Sequence, residues 1–122
     1  LSLHDALPIS IYNNLGKEMV VNTRNNGAIQ GFDDDAVVEI NSIIDAQGAR
    51  PLAFGALPPI MNGLTQQVKA FERLTIEAAV HGCRDSALLA LVSNPLVGNV
   101  TDARALLDEV LTINRPWLTQ FN

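Results

Sequence analysis

Asn25-Asn26-Gly27 is the polar loop whose composition suits contact with a ligand. Its amides both donate and accept hydrogen bonds, and glycine lets a backbone approach closely. The competing reading, which physical chemistry prefers, is a plain β-turn. Other reactive side chains fit structural roles better. His81-Gly82-Cys83 offers nitrogen and sulfur, but a metal would need two or more further ligands and no such cluster lies at a recognisable spacing. Cys83 at a helix junction could be acidified by a helix N-terminus, yet nothing supplies the base that a nucleophile needs. Asp33-Asp34-Asp35 lacks the alternating ligands and central glycine of a calcium loop, so a solvated turn before a strand is the better reading. Asn99-Val100-Thr101 has the form of a glycosylation sequon but reads better as a helix cap. Trp117 and Phe121 are spaced to pack beside Leu118, as core or oligomer contacts rather than as a sugar platform. No residue is assigned a catalytic step, a cofactor or a metal.

Elements must position these groups. Ser10–Leu15 reads as a short helical piece with Gly16 in the left-handed C-cap position. Lys17–Arg24 has β-branched residues at its centre and glycine or asparagine punctuation at its ends, and is expected to be a strand. Ala36–Ile44 is expected to be another, with Val38, Ile40 and Ser42 on one face and Val37, Glu39, Asn41 and Ile43 on the other. Pro51–Ala56 fits a short edge strand. Beyond Pro58-Pro59 the period becomes helical. Leu64, Val68, Phe71, Leu74 and Ala78 form an apolar stripe over Gly63–His81, and Gly82 ends that helix. Asp85 is expected to cap a second helix, Ser86–Ser93, which is apolar enough to be buried nearly all round. Asn99 or Thr101 is expected to cap a third, which carries Ala103, Leu106, Leu107, Val110 and Leu111 on one side and stops at Pro116. Short strands followed by three helices make the expected fold class α+β.

The 122 residues, 48% hydrophobic and 17% charged, suit one globular domain. A net charge of −5 with scattered Arg and Lys argues against nucleic acid and anionic membrane as partners. One cysteine precludes an internal disulfide, and no basic segment leads into an apolar one as in a secretory signal, so a cytoplasmic location is expected. Residues 1–9, LSLHDALPI, resemble a peptide produced when sequencing-adapter DNA is translated, and are set aside as a non-native segment.

Val20-Val21-Asn22-Thr23-Arg24-Asn25-Asn26-Gly27-Ala28-Ile29, followed by Asp34-Asp35-Ala36-Val37-Val38-Glu39-Ile40, resembles a stretch of glycoside hydrolase family 4 in order and spacing. The similarity continues through Pro51-Leu52-Ala53, Gly63–Thr75, Ala87–Leu91 and Asn94–Val97 to Ala105–Glu109, and covers roughly residues 9–121. Residues 10–122 are thereby identified as a partial C-terminal domain of that family, with the dinucleotide-binding domain missing.

The resemblance implies an exception to the usual paired-carboxylate hydrolysis. In the family, NAD oxidises the C3 hydroxyl, a divalent Mn-type metal stabilises the enolate, a base removes the C2 proton, and the C1 substituent is eliminated before water adds and the ketone is reduced. The Gly-rich cofactor cradle, the Cys and His metal ligands and the Tyr base lie upstream of the matched part. No G-x-G-x-x-G occurs, and Tyr12, His81 and Cys83 do not correspond to the family's base or ligands. The resemblance therefore implies a 6-phospho-β-glucosidase parent that uses NAD and metal on phosphorylated disaccharides or glucosides as a homo-oligomer. It also implies an inactive 122-residue piece that binds neither cofactor, with Asn25, Asn26 and Gly27 at the border of the substrate pocket. The alternatives are the 6-phospho-α-glucosidase or α-galactosidase branch, and a non-catalytic scaffolding or dimerisation domain.

Overall fold

The computed structural model describes residues 3–121, so Leu1 and Ser2 of the adapter-like run lie outside the described residues. The chain forms two compact units, Leu1–Pro58 and Pro59–Asn122, each with its own packing. Strands occupy the first and helices dominate the second, which is the α+β order expected from the change of period.

In the first unit, helix α1 (Leu3–Tyr12) precedes strands β1 (Lys17–Arg24), β2 (Ile29–Gln30), β3 (Val37–Asp45), β4 (Gly48–Pro51) and β5 (Gly55–Ala56). The helix begins earlier than Ser10 and runs through Pro8, which forfeits one backbone donor there without breaking it. A single helix thus joins the described part of the adapter-like run to Ser10–Tyr12, with no break in the fold at residue 9. Gly16 is not the cap. The left-handed residue that ends α1 is Asn14, at φ 52°, and the amides of Asn14 and Leu15 donate to the carbonyls of Ile11 and Ser10 at 3.2 and 3.0 Å. These paired bonds are a Schellman closure. The Asn14 Oδ1 also accepts from the Ala46 amide at 3.0 Å, which ties the end of α1 to the β3–β4 turn.

Strand β1 has the expected limits, and β3 is shifted by one residue. They pair antiparallel with Val21 opposite Ile40, and β4 pairs with the far side of β3, so the sheet order is β1-β3-β4. The alternation holds: Val38, Ile40, Ser42 and Ile44 are buried while Val37, Glu39 and Asn41 are exposed. Ala28, Val38 and Ile40 form the core, with Ile29 against it. Fully buried Ser10 donates from Oγ to the Ile44 carbonyl at 2.7 Å and pins α1 to β3. The expected strand Pro51–Ala56 is divided. Pro51 ends β4 opposite Ser42, at the edge where its missing donor costs nothing, and Gly55-Ala56 pairs in parallel with β2.

The second unit contains helices α2 (Pro59–His81), α3 (Arg84–Ser93) and α4 (Val100–Ile113), and a short 3₁₀ turn at Thr119–Phe121. Helix α2 starts four residues before the expected Gly63, because Pro59 suits a first helical position, where an amide would have no partner. The buried residues of this unit are Ala78 of α2, Ser86 and Ala90 of α3, and Ala103 and Leu107 of α4, and α3 packs against both other helices. Helix α3 is not buried all round, since Leu89 is 55% exposed and burial follows the Ser86–Ala90 stripe. Asn99 caps α4, accepting from the Asp102 amide at 2.9 Å. Trp117 is 81% exposed, so it takes no part in the core of this unit, whereas Phe121 and Leu118 line an apolar cavity of about 280 Å³ with Phe71, Ala78 and Leu107.

Candidate functional site

The loop between β1 and β2 is built by Asn25. This residue is fully buried, and its side chain is committed within the loop. The Nδ2 donates to the carbonyls of Ile29 and Phe32 at 3.0 and 3.1 Å, and Oδ1 accepts from the Ile29 amide at 2.7 Å. The Asn25 and Asn26 amides donate to the carbonyls of Ala36 and Asp34 at 2.8 and 3.0 Å, so the loop is also held to the entry of β3. The Ala28 amide closes a turn on the Asn25 carbonyl at 2.8 Å, with φ values of 44° at Asn26 and 80° at Gly27. Positive φ at both central positions is the sign pattern of a type I′ turn, to which Asn-Gly is suited. A Cβ at Gly27 would come no closer than 3.9 Å to Asp34, so conformation rather than crowding calls for glycine there.

The three candidate residues therefore divide by role. Asn25 has spent its amide on the loop and has no donor to offer a ligand. Asn26 and Gly27 are exposed, and they present a polar side chain and an open backbone on a rigid turn. Asp33, Asp34 and Asp35 flank this turn and are also exposed, as expected of a solvated turn.

The other candidates are structural. Cys83 rather than Asp85 caps α3: its Sγ accepts from the Ser86 amide at 3.5 Å, while Asp85 falls in the first helical turn and complements the helix dipole. The Ser86 hydroxyl lies 3.3 Å from Cys83 Sγ and 3.2 Å from Glu77 Oε1. Hydrogen bonds from the Ser86 side chain and amide hold the Cys83 thiol below its ordinary pKa. Cysteine lies outside the usual capping set, so residue types alone did not mark Cys83 as the cap. His81 is exposed at the end of α2. Asp45 is held below the usual carboxylate range by the Gln47 amide, with Arg50 adding to the effect. Among the described residues no three His, Cys, Asp or Glu side chains come together as a metal site, and no helix is long and apolar enough to cross a membrane.

Comparison with known proteins places this arrangement. The model of the family 4 glycosyl hydrolase C-terminal domain matches residues 6–97. The chain is 47% identical over 112 residues to a probable 6-phospho-β-glucosidase of Bacillus subtilis (strain 168), covering 92% of this chain and 25% of that protein. A crystal structure of a 6-phospho-α-glucosidase from gut microorganisms in complex with NAD and Mn2+ superposes with a TM-score of 0.89 at 29% identity, over 92% of this chain and 26% of the other. The 6-phospho-β-glucosidase of Thermotoga maritima, crystallised with manganese, NAD+ and glucose-6-phosphate, gives 0.79 at 35% identity, over 94% of this chain and 29% of the other. The chain thus spans about a quarter of the length of these relatives. With three quarters of its own length matched by the C-terminal domain model, it belongs to glycosyl hydrolase family 4.

Proposed function

We propose that the chain is the C-terminal part of a 6-phospho-β-glucosidase and that its parent hydrolyses phosphorylated β-glucosides. The observation that carries this reading is the 47% identity to the B. subtilis β-glucosidase, against 29% to the α-glucosidase from gut microorganisms. Backbone similarity runs the other way, with TM-scores of 0.79 for the T. maritima β-enzyme and 0.89 for the α-enzyme. The identity is weighed more heavily, because anomeric preference is a matter of side chains placed on a shared backbone.

The residues present here do not fit NAD or a divalent metal. No glycine-rich cradle occurs in the sequence, and no cluster of ligating side chains occurs among the described residues. We propose that cofactor and metal chemistry belongs to the rest of the parent, and that the chain alone binds neither and turns over no glycoside. Its contribution to the site is the turn at Asn26-Gly27, held rigid by buried Asn25. There the Asn26 amide group and the unobstructed Gly27 backbone border the pocket and can hydrogen-bond sugar hydroxyls. We place the native sequence from residue 10 onward, the parent in the cytoplasm, and the assembly as a homo-oligomer.

The intact parent, supplied with NAD and Mn2+ and assayed on matched 4-nitrophenyl 6-phospho-α- and β-glucosides, is expected to turn over the β-anomer and leave the α-anomer essentially untouched. Preference for the α-anomer would transfer the chain to the other branch. A parent that binds NAD but hydrolyses neither would favour the scaffolding reading.

A further inference from the structure

We draw no further inference here: the strongest candidate, the cleft of about 490 Å³ on the sheet of the first unit where Glu39 and Asn41 stand beside exposed Phe54, carries nothing, because the chain spans about a quarter of the length of its relatives and nothing in the structure shows what covers that cleft.

Discussion

Asn25→Ala is expected to destabilise the chain by about 3 kcal/mol, a large part of the roughly 5–15 kcal/mol by which a typical domain is stable. The residue is fully buried and makes three side-chain hydrogen bonds, so alanine would strand the Ile29 amide and leave the Ile29 and Phe32 carbonyls short of a donor. Each such orphaned group costs about 1–3 kcal/mol, and the groups would be only partly satisfied by water. Chemical denaturation of the variant and parent chains, compared at their midpoints, measures the loss. Asn25→Asp separates the hydrogen-bonding role from packing. A carboxylate there would face the two carbonyl oxygens that now accept from Nδ2, so burial and repulsion should raise its folded pKa above the unfolded value of about 3.9. The sign follows from linkage: the deficit appears as pH rises past the unfolded pKa, saturates above the folded one, and shrinks again in acid. Equal stability of the Asp variant and the parent chain at neutral pH would show that Asn25 is not the clasp of the loop.

Gly82→Ala is expected to be the most damaging change in the helical unit. Gly82 sits at φ 65°, and a Cβ there would lie 1.8 Å from the Gln120 carbonyl oxygen. The backbone of the tail must therefore move. Gln120 is tied to the same corner by its Nε2, which donates to the Ala79 carbonyl at 3.1 Å. The left-handed conformation alone costs a non-glycine residue about 1–2 kcal/mol, and loss of the tail contact should bring the total to about 3 kcal/mol. A chain ending at Pro116 offers the control, because without the tail only the conformational part of the cost remains. Thermal midpoints of the four chains form a cycle whose coupling should be about 1 kcal/mol or more. Strict additivity would mean that Gly82 and Gln120 do not meet in solution.

Much of the architecture is legible in residue order because it is local. The alternation of Val38, Ile40 and Ser42 with Val37, Glu39 and Asn41 predicts the two faces of β3, and the helical spacing predicts α2, whose covered side runs from Val68 to Ala78 while Leu64, the first residue of the expected stripe, is exposed. What escapes is non-local or chemically atypical. Strand β2 exists only because Ile29-Gln30 pairs in parallel with distant Gly55-Ala56, and although Gly55-Ala56 falls within the expected strand Pro51–Ala56, nothing in either segment announces that partner. Asn14 rather than Gly16 closes α1, which is intelligible because asparagine also tolerates the left-handed conformation that Gly16 adopts two residues later. Cys83 caps α3 although cysteine lies outside the residues that usually do so.

The candidate site shows the same division. Composition singles out Asn25-Asn26-Gly27, but composition cannot say which amide is spent internally. Burial assigns Asn25 to the loop and leaves Asn26 and Gly27 facing outward. Trp117 is the converse: its spacing suggests a core or oligomer contact, and the structure rules out the core. Family membership is legible because so many ordered residues agree along the chain, which no single motif could have supplied.

The most direct measurement is the hydrolysis of a 6-phospho-β-glucoside by a chimera in which this chain replaces the matching quarter of the B. subtilis relative, assayed with NAD and Mn2+ beside the 122-residue chain alone. The chimera is expected to retain NAD- and Mn-dependent turnover, and the isolated chain is expected to show none. A folded chimera without activity, or turnover by the isolated chain, would contradict the account of this chain as the domain that completes a phosphoglycosidase without carrying its chemistry.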